Sequence, residues 1–478
     1  MGPLEKTQSV GIVGAGTMGS GIAQLAARAG HRVVLFDVGE GASVSAKKRI
    51  EKEQEGLVAR GKFTREEAGA LVALVAAGDT IGDLAGCGLV IEAIVEDLDV
   101  KRRLFAALED IVSPEALLAT NTSSISVTAI ARDLKIPQRL AGMHFFNPAT
   151  IMKLVEVVSG LSTATETAER IFATAEAWGK TAVHAKSTPG FIVNRVARPF
   201  YGEALRLCEE QVADPATIDA LMKEAAGFRM GPFELMDLIG HDVNHAVNMS
   251  VFGAYYQDPR FRPSNLQLEL INAGRLGRKS GRGFYEYGEQ AVRPMPLSMQ
   301  AGPDGRPLEG FLPGSTCEVD GVWIGNTDGR TAHRLSAELG RPVILSDLIE
   351  LQNATRCGFT ASADVAPAQI DRFVATLERH EIRATQLPDW PGLVVMRTVA
   401  MLANEGFETV LQGVAEEAAV DIAMRLGVNY PRGPIGWAKK IGLDRVLATL
   451  DEIHRLTGDP RYRASLALRQ AVDDVYTM

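Results

Sequence analysis

The first 185 residues alternate between apolar runs of strand length and longer stretches in which apolar residues recur with helical spacing. The apolar runs lie at residues 10–13, 31–36, 88–93 and 117–121. Runs this short and this apolar are typical of parallel strands buried on both faces, whereas the stretches between them show the period of amphipathic helices. The pattern therefore predicts a doubly wound α/β sheet over this part of the chain.

After Pro189 the apolar residues follow helical spacing alone, which indicates a second, all-α domain. We expect it to end near Gly288, because residues 293–313 hold repeated proline and glycine and are typical of a linker. Beyond the linker, apolar runs at residues 322–325 and 342–345 flank a helical pattern. These runs predict a short α/β segment of two strands around a helix, without a glycine-rich phosphate loop.

The last hundred residues repeat the all-α domain. Residues 189–195 return as residues 391–397, and residues 231–232 return as Gly433-Pro434, both at an offset of 202. The same spacing at separate anchor points indicates a duplicated domain.

The two copies differ at polar positions. Met396 stands where the first copy has Asn194, and the segment 277–281 has no counterpart in the second copy. A second copy could supply, within one chain, an apolar face that a single helical domain would otherwise have to bury against a second subunit. We therefore expect residues 391–478 to pack on residues 189–287 about a pseudo-two-fold axis, in support rather than in catalysis.

A glycine-rich turn joins the first predicted strand to the first helix, and Asp37 ends the second strand. Gly14 and Gly16 would let the backbone approach a pyrophosphate, Gly19 would let the helix pack on the strand, and the helix N-terminus favours an anion. Asp37 would bind the adenosine ribose diol and repel a 2′-phosphate, so NAD is favoured over NADP. The alternative is a glycine turn that serves packing alone. The predicted cofactor loop comprises Gly14, Gly16, Thr17, Met18 and Gly19.

A histidine and a carboxylate form a second candidate site. His144 lies among apolar and aromatic residues, and Glu156 is the acid of an apolar strand twelve residues later. The carboxylate could orient the imidazole and stabilise its charged form while the other ring nitrogen exchanges a proton with a substrate oxygen. A histidine in an apolar strand can equally be a core residue with its hydrogen bonds satisfied, so the pattern alone leaves both readings open.

Seven motifs in order resemble the L-3-hydroxyacyl-CoA dehydrogenase family over about residues 8–287. They lie at residues 14–19, 90–96, 121–124, 144–148, 152–156, 188–195 and 231–235. The resemblance implies an enzyme that uses NAD to oxidise (3S)-3-hydroxyacyl-CoA to 3-ketoacyl-CoA. It implies that His144 is the catalytic base and Glu156 its partner acid, and that Ser123 and Asn194 bind substrate and support the site.

The same matching implies further ligand contacts. The residues that fall on the family's NAD contacts are Asp37, Glu96, Lys101, Ser123, Asn147 and Lys279. The family's lysine for CoA lies in the charged helical hairpin after the second strand, where Lys62 is the nearest candidate in this chain. The alternative for Lys62 is a solvated surface lysine.

The predicted fold is an α/β Rossmann-type NAD-binding domain, then an all-α helical domain, a short degenerate α/β insert and a second all-α copy. The predicted bounds are residues 8–187 for the NAD-binding domain, 188–288 for the first helical domain, 289–320 for the linker, 321–384 for the insert and 385–478 for the second helical copy. This build resembles the long bacterial members of the family, which act on 3-hydroxyadipyl-CoA or 3-hydroxybutyryl-CoA in phenylacetate or fatty-acid catabolism.

Composition narrows the classes of protein to which this chain can belong and the partners that it can have. The formal net charge of −9 argues against a nucleic-acid partner, and 46% hydrophobic residues with 23% charged residues are typical of a folded globular protein. The four cysteines lie far apart without a CxxC pair, so we expect no metal site, no disulfide framework and a cytoplasmic location. We also expect no membrane span; an acyl-CoA substrate is the expected partner, and a homo-oligomer is compatible with the sequence.

Three alternatives compete with the dehydrogenase hypothesis. A non-catalytic NAD-binding protein of crystallin type would be expected to lose His144 or Glu156, and both are present. A β-hydroxyacid dehydrogenase with a catalytic lysine would not need the motif at residues 144–148. Residues 321–478 could instead form a docking module for other enzymes.

Overall fold

The computed structural model describes residues 2–302, 305–350 and 352–477, and these residues form two compact units. The first unit contains the chain up to Val193 together with Gly413–Gly427. The second contains Asn194–Gln412 and the chain from Val428 onwards. No helix in the described part of the chain is long and apolar enough to cross a membrane.

The first unit is built on an eight-stranded sheet. Its strands are β1 (Ser9–Val13), β2 (Val33–Phe36), β3 (Val75–Ala77), β4 (Cys87–Glu92), β5 (Leu117–Thr120), β6 (Leu140–Phe145), β7 (Leu154–Ser159) and β8 (Thr181–Lys186). They lie in the order β3-β2-β1-β4-β5-β6-β7-β8, and every neighbouring pair is parallel except β6 and β7. The strand order reverses direction between β1 and β4, and open α/β sheets bind ligands at such a point.

Helices follow most of these strands. They are α1 (Thr17–Arg28), α2 (Ala42–Ala59), α3 (Arg65–Ala73), α4 (Leu98–Ile111), α5 (Val127–Ala131) and α6 (Thr165–Ala177). Local sequence starts several of them: the Asp97 carboxylate accepts the Val100 N–H at the start of α4, and Thr64 with Glu67 forms a capping box at α3. The predicted Rossmann-type domain is thus present, with apolar β-strands buried against α1 and α6.

A late segment of the chain also belongs to the first unit. Helix α16 (Glu417–Gly427) packs against β7 and β8, and the Lys186 N–H donates to the Val414 carbonyl at 2.8 Å. A side chain at Gly427 would come within 2.9 Å of Leu154 and Val193, so this close approach needs glycine. The sequence-based domain bounds assign the same segment to the second helical copy, because they follow chain order rather than contacts.

The second unit is mainly helical. Its helices are α7 (Val193–Val196, which begins at the last residue of the first unit), α8 (Arg198–Glu209), α9 (Pro215–Glu224), α10 (Pro232–Ile239), α11 (His241–Ala254), α12 (Asn265–Asn272), α15 (Val395–Leu411), α17 (Pro434–Ile441), α18 (Leu443–Thr457) and α19 (Leu466–Thr477). Asp214 caps α9 by accepting the Thr217 N–H, and prolines at the first turn of α9, α10 and α17 fit where no N–H is required.

A small sheet lies between these helices in the chain. Its strands are β9 (Cys317–Val319), β10 (Val322–Asn326), β11 (Val343–Ser346), β12 (Arg356–Ala361) and β13 (Arg383–Gln386), and its helices are α13 (Ala332–Leu339) and α14 (Pro367–Arg379). The order is β13-β12-β11-β10-β9. The sequence predicted β10, β11 and the helix between them. It missed β9, β12 and β13, which lack a continuous apolar run, and it missed α14.

Candidate active site

The glycine-rich turn has the backbone that a dinucleotide loop requires. Gly14 has φ +108°, and a Cβ there would lie 2.4 Å from the Ala93 carbonyl oxygen. A Cβ at Gly19 would lie 1.8 Å from the Gly14 carbonyl oxygen, so both positions demand glycine. A Cβ at Gly16 would meet nothing within 4 Å, which leaves open space beside the first turn of α1. That turn carries no acidic residue, so its N–H groups suit a pyrophosphate.

Asp37 is tied to this loop. Its carboxylate accepts hydrogen bonds from the Ala15 N–H at 2.7 Å and from the Gly39 N–H at 2.9 Å. The side chain therefore lies at the end of β2 beside the glycine loop, where a ribose diol follows the pyrophosphate of a bound dinucleotide. The neighbouring Val38 is 91% exposed and places no cation at this position.

Glu96 joins the loops that follow β4 and β5. It accepts hydrogen bonds from the Thr122 hydroxyl at 2.6 Å, the Ser123 N–H at 3.1 Å and the Ser124 hydroxyl at 2.9 Å. Although burial raises it, the hydrogen bond from Thr122 and the charge of Lys101 hold the pKa of Glu96 below its usual value. A charged Glu96 thus fixes the Ser123 loop at the carboxyl end of the sheet.

Lys101 is buried beside two glutamates. It is 1% exposed, and its Nζ lies 2.5 Å from Glu92 and 3.2 Å from Glu96. Glu92, which the sequence reasoning did not single out, also accepts the Thr120 hydroxyl at 2.6 Å. Lys101 therefore holds the carboxylate of Glu96 in place.

His144 and Glu156 lie directly opposite each other on the antiparallel strands β6 and β7. The His144 Nδ1 is 2.7 Å from the Glu156 Oε2, and the two residues are 5% and 0% exposed. The other carboxylate oxygen accepts the N–H groups of Ile192 and Val193, each at 3.0 Å. Glu156 is held from two directions, so Nδ1 donates to it and Nε2 is the nitrogen that can exchange a proton.

The turn before Ile192 aims those two N–H groups. Gly190 has φ +76° and Phe191 has φ +47°, and a left-handed conformation is uncommon for phenylalanine. The rings of Phe146 and Phe191 lie 4.5 Å and 5.8 Å from the His144 ring. Aromatic walls and a buried carboxylate give His144 a largely dry environment with one oriented partner.

Two residues that hold the segments beside His144 were not predicted from the sequence. The Asn121 Oδ1 accepts the Phe145 N–H at 2.8 Å and so joins β5 to the end of the His144 strand. Lys180 donates from Nζ to the carbonyls of Ala149 at 2.5 Å and Met152 at 2.7 Å. Asn121 stands in a recognised motif, whereas no local pattern marks Lys180, whose partners lie about thirty residues away.

Replacing Lys180 with Met should lower the thermal stability and loosen the loop at residues 149–152. Burial, with the charge of Arg28, lowers the pKa of Lys180 to about 8, below its value in the unfolded chain. The folded protein therefore binds that proton less tightly, and wild type should gain about 1–2 kcal/mol over the variant as pH rises from 8 to 10. Thermal unfolding across this pH range, with the exposed Lys153→Met as control, measures the effect; identical pH profiles for all three proteins would contradict it.

The remaining candidates fall in both units. Asn147 is exposed in the loop after β6, whereas Asn194 lies in α7 of the second unit. Lys279, also in the second unit, pairs with Asp242 at 2.5 Å. Lys62 is exposed in the turn between α2 and α3. Within the described ranges no group of three or more His, Cys, Asp or Glu side chains could hold a metal ion.

Lys62 lines a cavity of about 730 Å³ in the first unit. The cationic residues of this cavity are Arg28, Lys52, Arg60 and Lys62. Thr150 and Ile151, from the loop that Lys180 holds, form another part of its wall. The cavity therefore places several positive charges beside the loop that follows the His144 strand.

A glycine-rich loop of dinucleotide type and a buried histidine–glutamate pair on one sheet are typical of an NAD-dependent dehydrogenase, and comparison with family models specifies which kind. Residues 9–188 match the NAD binding domain of 3-hydroxyacyl-CoA dehydrogenase, and residues 190–287 and 392–476 match its C-terminal domain. Residues 324–391 match the 3-hydroxybutyryl-CoA dehydrogenase reduced Rossmann-fold domain. The chain belongs to the 3-hydroxyacyl-CoA dehydrogenase family and is an NAD-dependent oxidoreductase.

Relatives of known name agree with this assignment. The chain is 46% identical over 467 residues to 3-hydroxyadipyl-CoA dehydrogenase of Escherichia coli strain K12, with 97% of each chain covered. It is 41% identical over 285 residues to the mitochondrial hydroxyacyl-coenzyme A dehydrogenase of Sus scrofa, covering 58% of this chain and 90% of that one. The crystal structure of 3-hydroxybutyryl-CoA dehydrogenase from Escherichia coli K12 matches 99% of this chain and all of its own, with TM-score 0.94 and 44% identity. These relatives do not support the crystallin-type alternative.

Proposed function

We propose that the enzyme interconverts (3S)-3-hydroxyacyl-CoA and 3-ketoacyl-CoA, with His144 as the group that exchanges the substrate hydroxyl proton. The observation that carries the proposal is the buried 2.7 Å contact between His144 and Glu156. NAD, when bound, supplies the hydride acceptor. As His144 Nε2 takes the hydroxyl proton its ring becomes positive, and the Glu156 carboxylate stabilises that charge. In the reverse direction His144 returns the proton.

Ser123 and Asn194 complete the proposed substrate contacts. A hydroxyl and a side-chain amide can each donate a hydrogen bond to the C3 oxygen or the thioester oxygen. The Glu96 carboxylate accepts the Ser123 backbone N–H at 3.1 Å, which holds this residue at the carboxyl end of the sheet. We assign both residues to orienting the substrate.

The proposed NAD site is centred on the glycine-rich loop. Gly14 to Gly19 and the N-terminus of α1 would hold the pyrophosphate, and Asp37 the adenosine ribose. The remaining proposed contacts are Glu96, Ser123, Asn147 and Lys279. Lys101 would contribute by keeping Glu96 charged and oriented, since its own amine is buried between two glutamates.

The cationic cavity is the proposed site for the CoA phosphates, with Lys62 at its edge. Lys62→Ala should raise the KM for acetoacetyl-CoA about tenfold or more, because hydrogen bonds to charged groups are worth roughly 1.5–3 kcal/mol. It should leave the KM for acetoacetyl-pantetheine, which lacks those phosphates, unchanged. Steady-state kinetics on both substrates, with Lys48→Ala on α2 as control, test this; equal changes for the two substrates would mean that Lys62 is only a surface lysine.

We further propose a dicarboxylyl substrate, 3-hydroxyadipyl-CoA, with 3-hydroxybutyryl-CoA as second candidate. The Escherichia coli relative named 3-hydroxyadipyl-CoA dehydrogenase covers 97% of this chain. The crystal structure named 3-hydroxybutyryl-CoA dehydrogenase covers 99% of it. A place in phenylacetate catabolism or β-oxidation would follow from these substrates, and a cytoplasmic location fits the four free cysteines. Kinetics with acetoacetyl-CoA, longer 3-ketoacyl-CoAs and 3-ketoadipyl-CoA decide between the substrates.

We propose that the two helical segments, residues 188–288 and 385–478, are copies of one domain related by a pseudo-two-fold axis. Arg195 pairs with Glu405 at 2.5 Å, and Arg397 pairs with Glu203 at 2.9 Å. Each residue of one pair stands 202 positions from its counterpart in the other. Reciprocal contacts of this kind are the signature of an isologous interface.

The second copy keeps the scaffold of the site but not its chemistry. Asp347 follows β11, and its carboxylate accepts the N–H groups of Val394, Val395 and Met396. The first two stand 202 residues after the two N–H groups that Glu156 accepts. Burial raises the pKa of Asp347 to about 6, and the hydrogen bonds that its carboxylate accepts in the described part of the chain come from backbone N–H groups.

Removing the residues after about 290 should cause aggregation or a new dimer. Arg195 would lose Glu405, and an apolar helical face would become exposed. Relatives such as the probable 3-hydroxybutyryl-CoA dehydrogenase of Bacillus subtilis strain 168 match only 58% of this chain along nearly their whole length, so they lack the second copy. Light scattering and thermal unfolding of the truncated and full chains test the role. A truncated chain that stays monomeric and equally heat-stable would refute it.

A further inference from the structure

Arg198 is a buried cation without a carboxylate partner among the residues that the structure describes. It lies at the start of α8, is 7% exposed, and its Nε has no hydrogen-bond partner. Its guanidinium lies 5.0 Å from the centre of the Tyr201 ring. The buried arginines Arg195 and Arg397 each hold a glutamate instead. An unpaired buried charge is strongly unfavourable, so such a group is retained where a ligand supplies the missing partner.

A second unpartnered donor lies in the same aromatic cluster. Tyr430 is buried, and its hydroxyl has no hydrogen-bond partner among the described residues. Its ring lies 5.5 Å from Phe200 and 5.0 Å from Phe228, and its hydroxyl acts electrostatically on Arg198. A guanidinium and a phenol both donate hydrogen bonds, so the group that satisfies the two together is an anionic acceptor; a carboxylate fits the planar fork of arginine.

The second helical copy shows that the helical domain does not need this arginine. Arg195 is retained 202 residues later as Arg397, whereas Arg198 is replaced by Ala400. Asn194, which we assign to substrate, is replaced by Met396 at the same offset. The second copy therefore keeps the arginine that packs the domain. It lacks both Asn194 and Arg198, which stand four residues apart in the first copy. This joint replacement associates Arg198 with the same function as Asn194, which is substrate binding.

The spacing of these two residues fits a short dicarboxylate. Asn194 lies in α7 and Arg198 begins α8, and Ala197 between the two helices keeps a helical backbone, so the two residues are about 6 Å apart along the helical direction. In a six-carbon 3-hydroxydicarboxylyl thioester the carbon of the terminal carboxylate is three carbon–carbon bonds beyond C3, a distance of about 4 Å. The carboxylate oxygens extend further than this carbon. A shorter monocarboxylyl chain would bring no charge to Arg198.

We propose that Arg198, assisted by the Tyr430 hydroxyl, binds the terminal carboxylate of a 3-hydroxydicarboxylyl-CoA and so determines specificity for that substrate. The inference rests on the proposed function and deepens it by naming the residues that distinguish a dicarboxylyl from a monocarboxylyl chain.

The test compares two acyl chains of equal length. Adipoyl-CoA and hexanoyl-CoA differ only at the terminal carbon and cannot react, so calorimetric titration measures binding without turnover. Wild type should bind adipoyl-CoA more tightly, and Arg198→Met should reduce the affinity ratio at least tenfold. The same fall is expected in the ratio of kcat/KM for 3-ketoadipyl-CoA to that for 3-ketohexanoyl-CoA. An affinity ratio that Arg198→Met leaves unchanged overturns the proposal.

Further variants separate recognition from folding. Tyr430→Phe removes only the hydroxyl and should lower both ratios severalfold, while Arg198→Lys should retain part of the preference. Arg229→Met, which removes an exposed arginine next to Phe228, is the matched control and should leave both ratios unchanged. If Arg198→Met does not fold, unchanged ratios in Tyr430→Phe and Arg198→Lys overturn the proposal. Wild type that reduces neither 3-ketoacyl-CoA refutes the proposed function; wild type that reduces both with a ratio insensitive to these variants refutes only the role of Arg198.

Discussion

Replacing His144 with Gln is expected to lower the turnover of acetoacetyl-CoA reduction by on the order of a hundredfold or more, since general acid–base catalysis contributes about 10²–10⁴-fold. Glutamine keeps a polar side chain at the end of β6 but cannot exchange a proton near neutral pH. The Glu156 carboxylate would remain held by the N–H groups of Ile192 and Val193, so the strand pair should stay in place. The measurement is kcat from steady-state kinetics with NADH.

The structure offers a matched control for this experiment. His184 lies on β8 of the same sheet and also faces a glutamate, with its Nε2 3.3 Å from Glu169, but its side chain is 45% exposed. His184→Gln should leave turnover within twofold of wild type. A His144→Gln enzyme within threefold of wild type would remove His144 from the chemistry and return it to the role of a core histidine.

Combining Asp37→Ser with Val38→Arg should shift the ratio of kcat/KM for NADPH to that for NADH by on the order of a hundredfold. The change removes a carboxylate that would repel a 2′-phosphate and adds a cation to bind it, and hydrogen bonds to charged groups are worth roughly 1.5–3 kcal/mol each. Because Val38 is 91% exposed, an arginine there displaces no core atom.

Glu40→Ser supplies the control for cofactor choice, because it removes an exposed acid three residues further along the same loop. This variant should retain the wild-type ratio. Serine is shorter than aspartate and gives up the 2.7 Å hydrogen bond from the Ala15 N–H, so thermal unfolding should accompany the kinetics. A folded double variant whose cofactor ratio is unchanged would mean that another residue sets the preference.

Features that depend on residues close together in the chain could be predicted from the sequence. The glycine turn at residues 14–19 with Asp37 at the next strand end predicted the dinucleotide loop, because its geometry depends on backbone close to it in the chain. The offset of 202 predicted a repeat for a similar reason, since each anchor is a short string of residues. The residue types of the pair formed by His144 and Glu156 could also be identified from the sequence.

Features that depend on strand order and long-range contact could not be predicted in this way. The sequence placed His144 and Glu156 on two strands, but only the antiparallel pairing of β6 and β7 puts them opposite each other. Lys101 matched a family position for NAD, and only its burial shows that Glu92 and Glu96 hold its amine.

The tertiary structure likewise decided which arginines pair. Arg195 and Arg198 stand three residues apart and carry the same charge, yet Arg195 reaches a glutamate 210 residues away and Arg198 lies among aromatic rings. Helix α16 joins the first unit although its neighbours in the chain belong to the second. The sequence by itself determined the local geometry and the chemical groups available. Which groups meet, and which buried arginine lies among aromatic rings instead of beside a glutamate, depends on contacts between distant segments, and those exist only once the chain has packed.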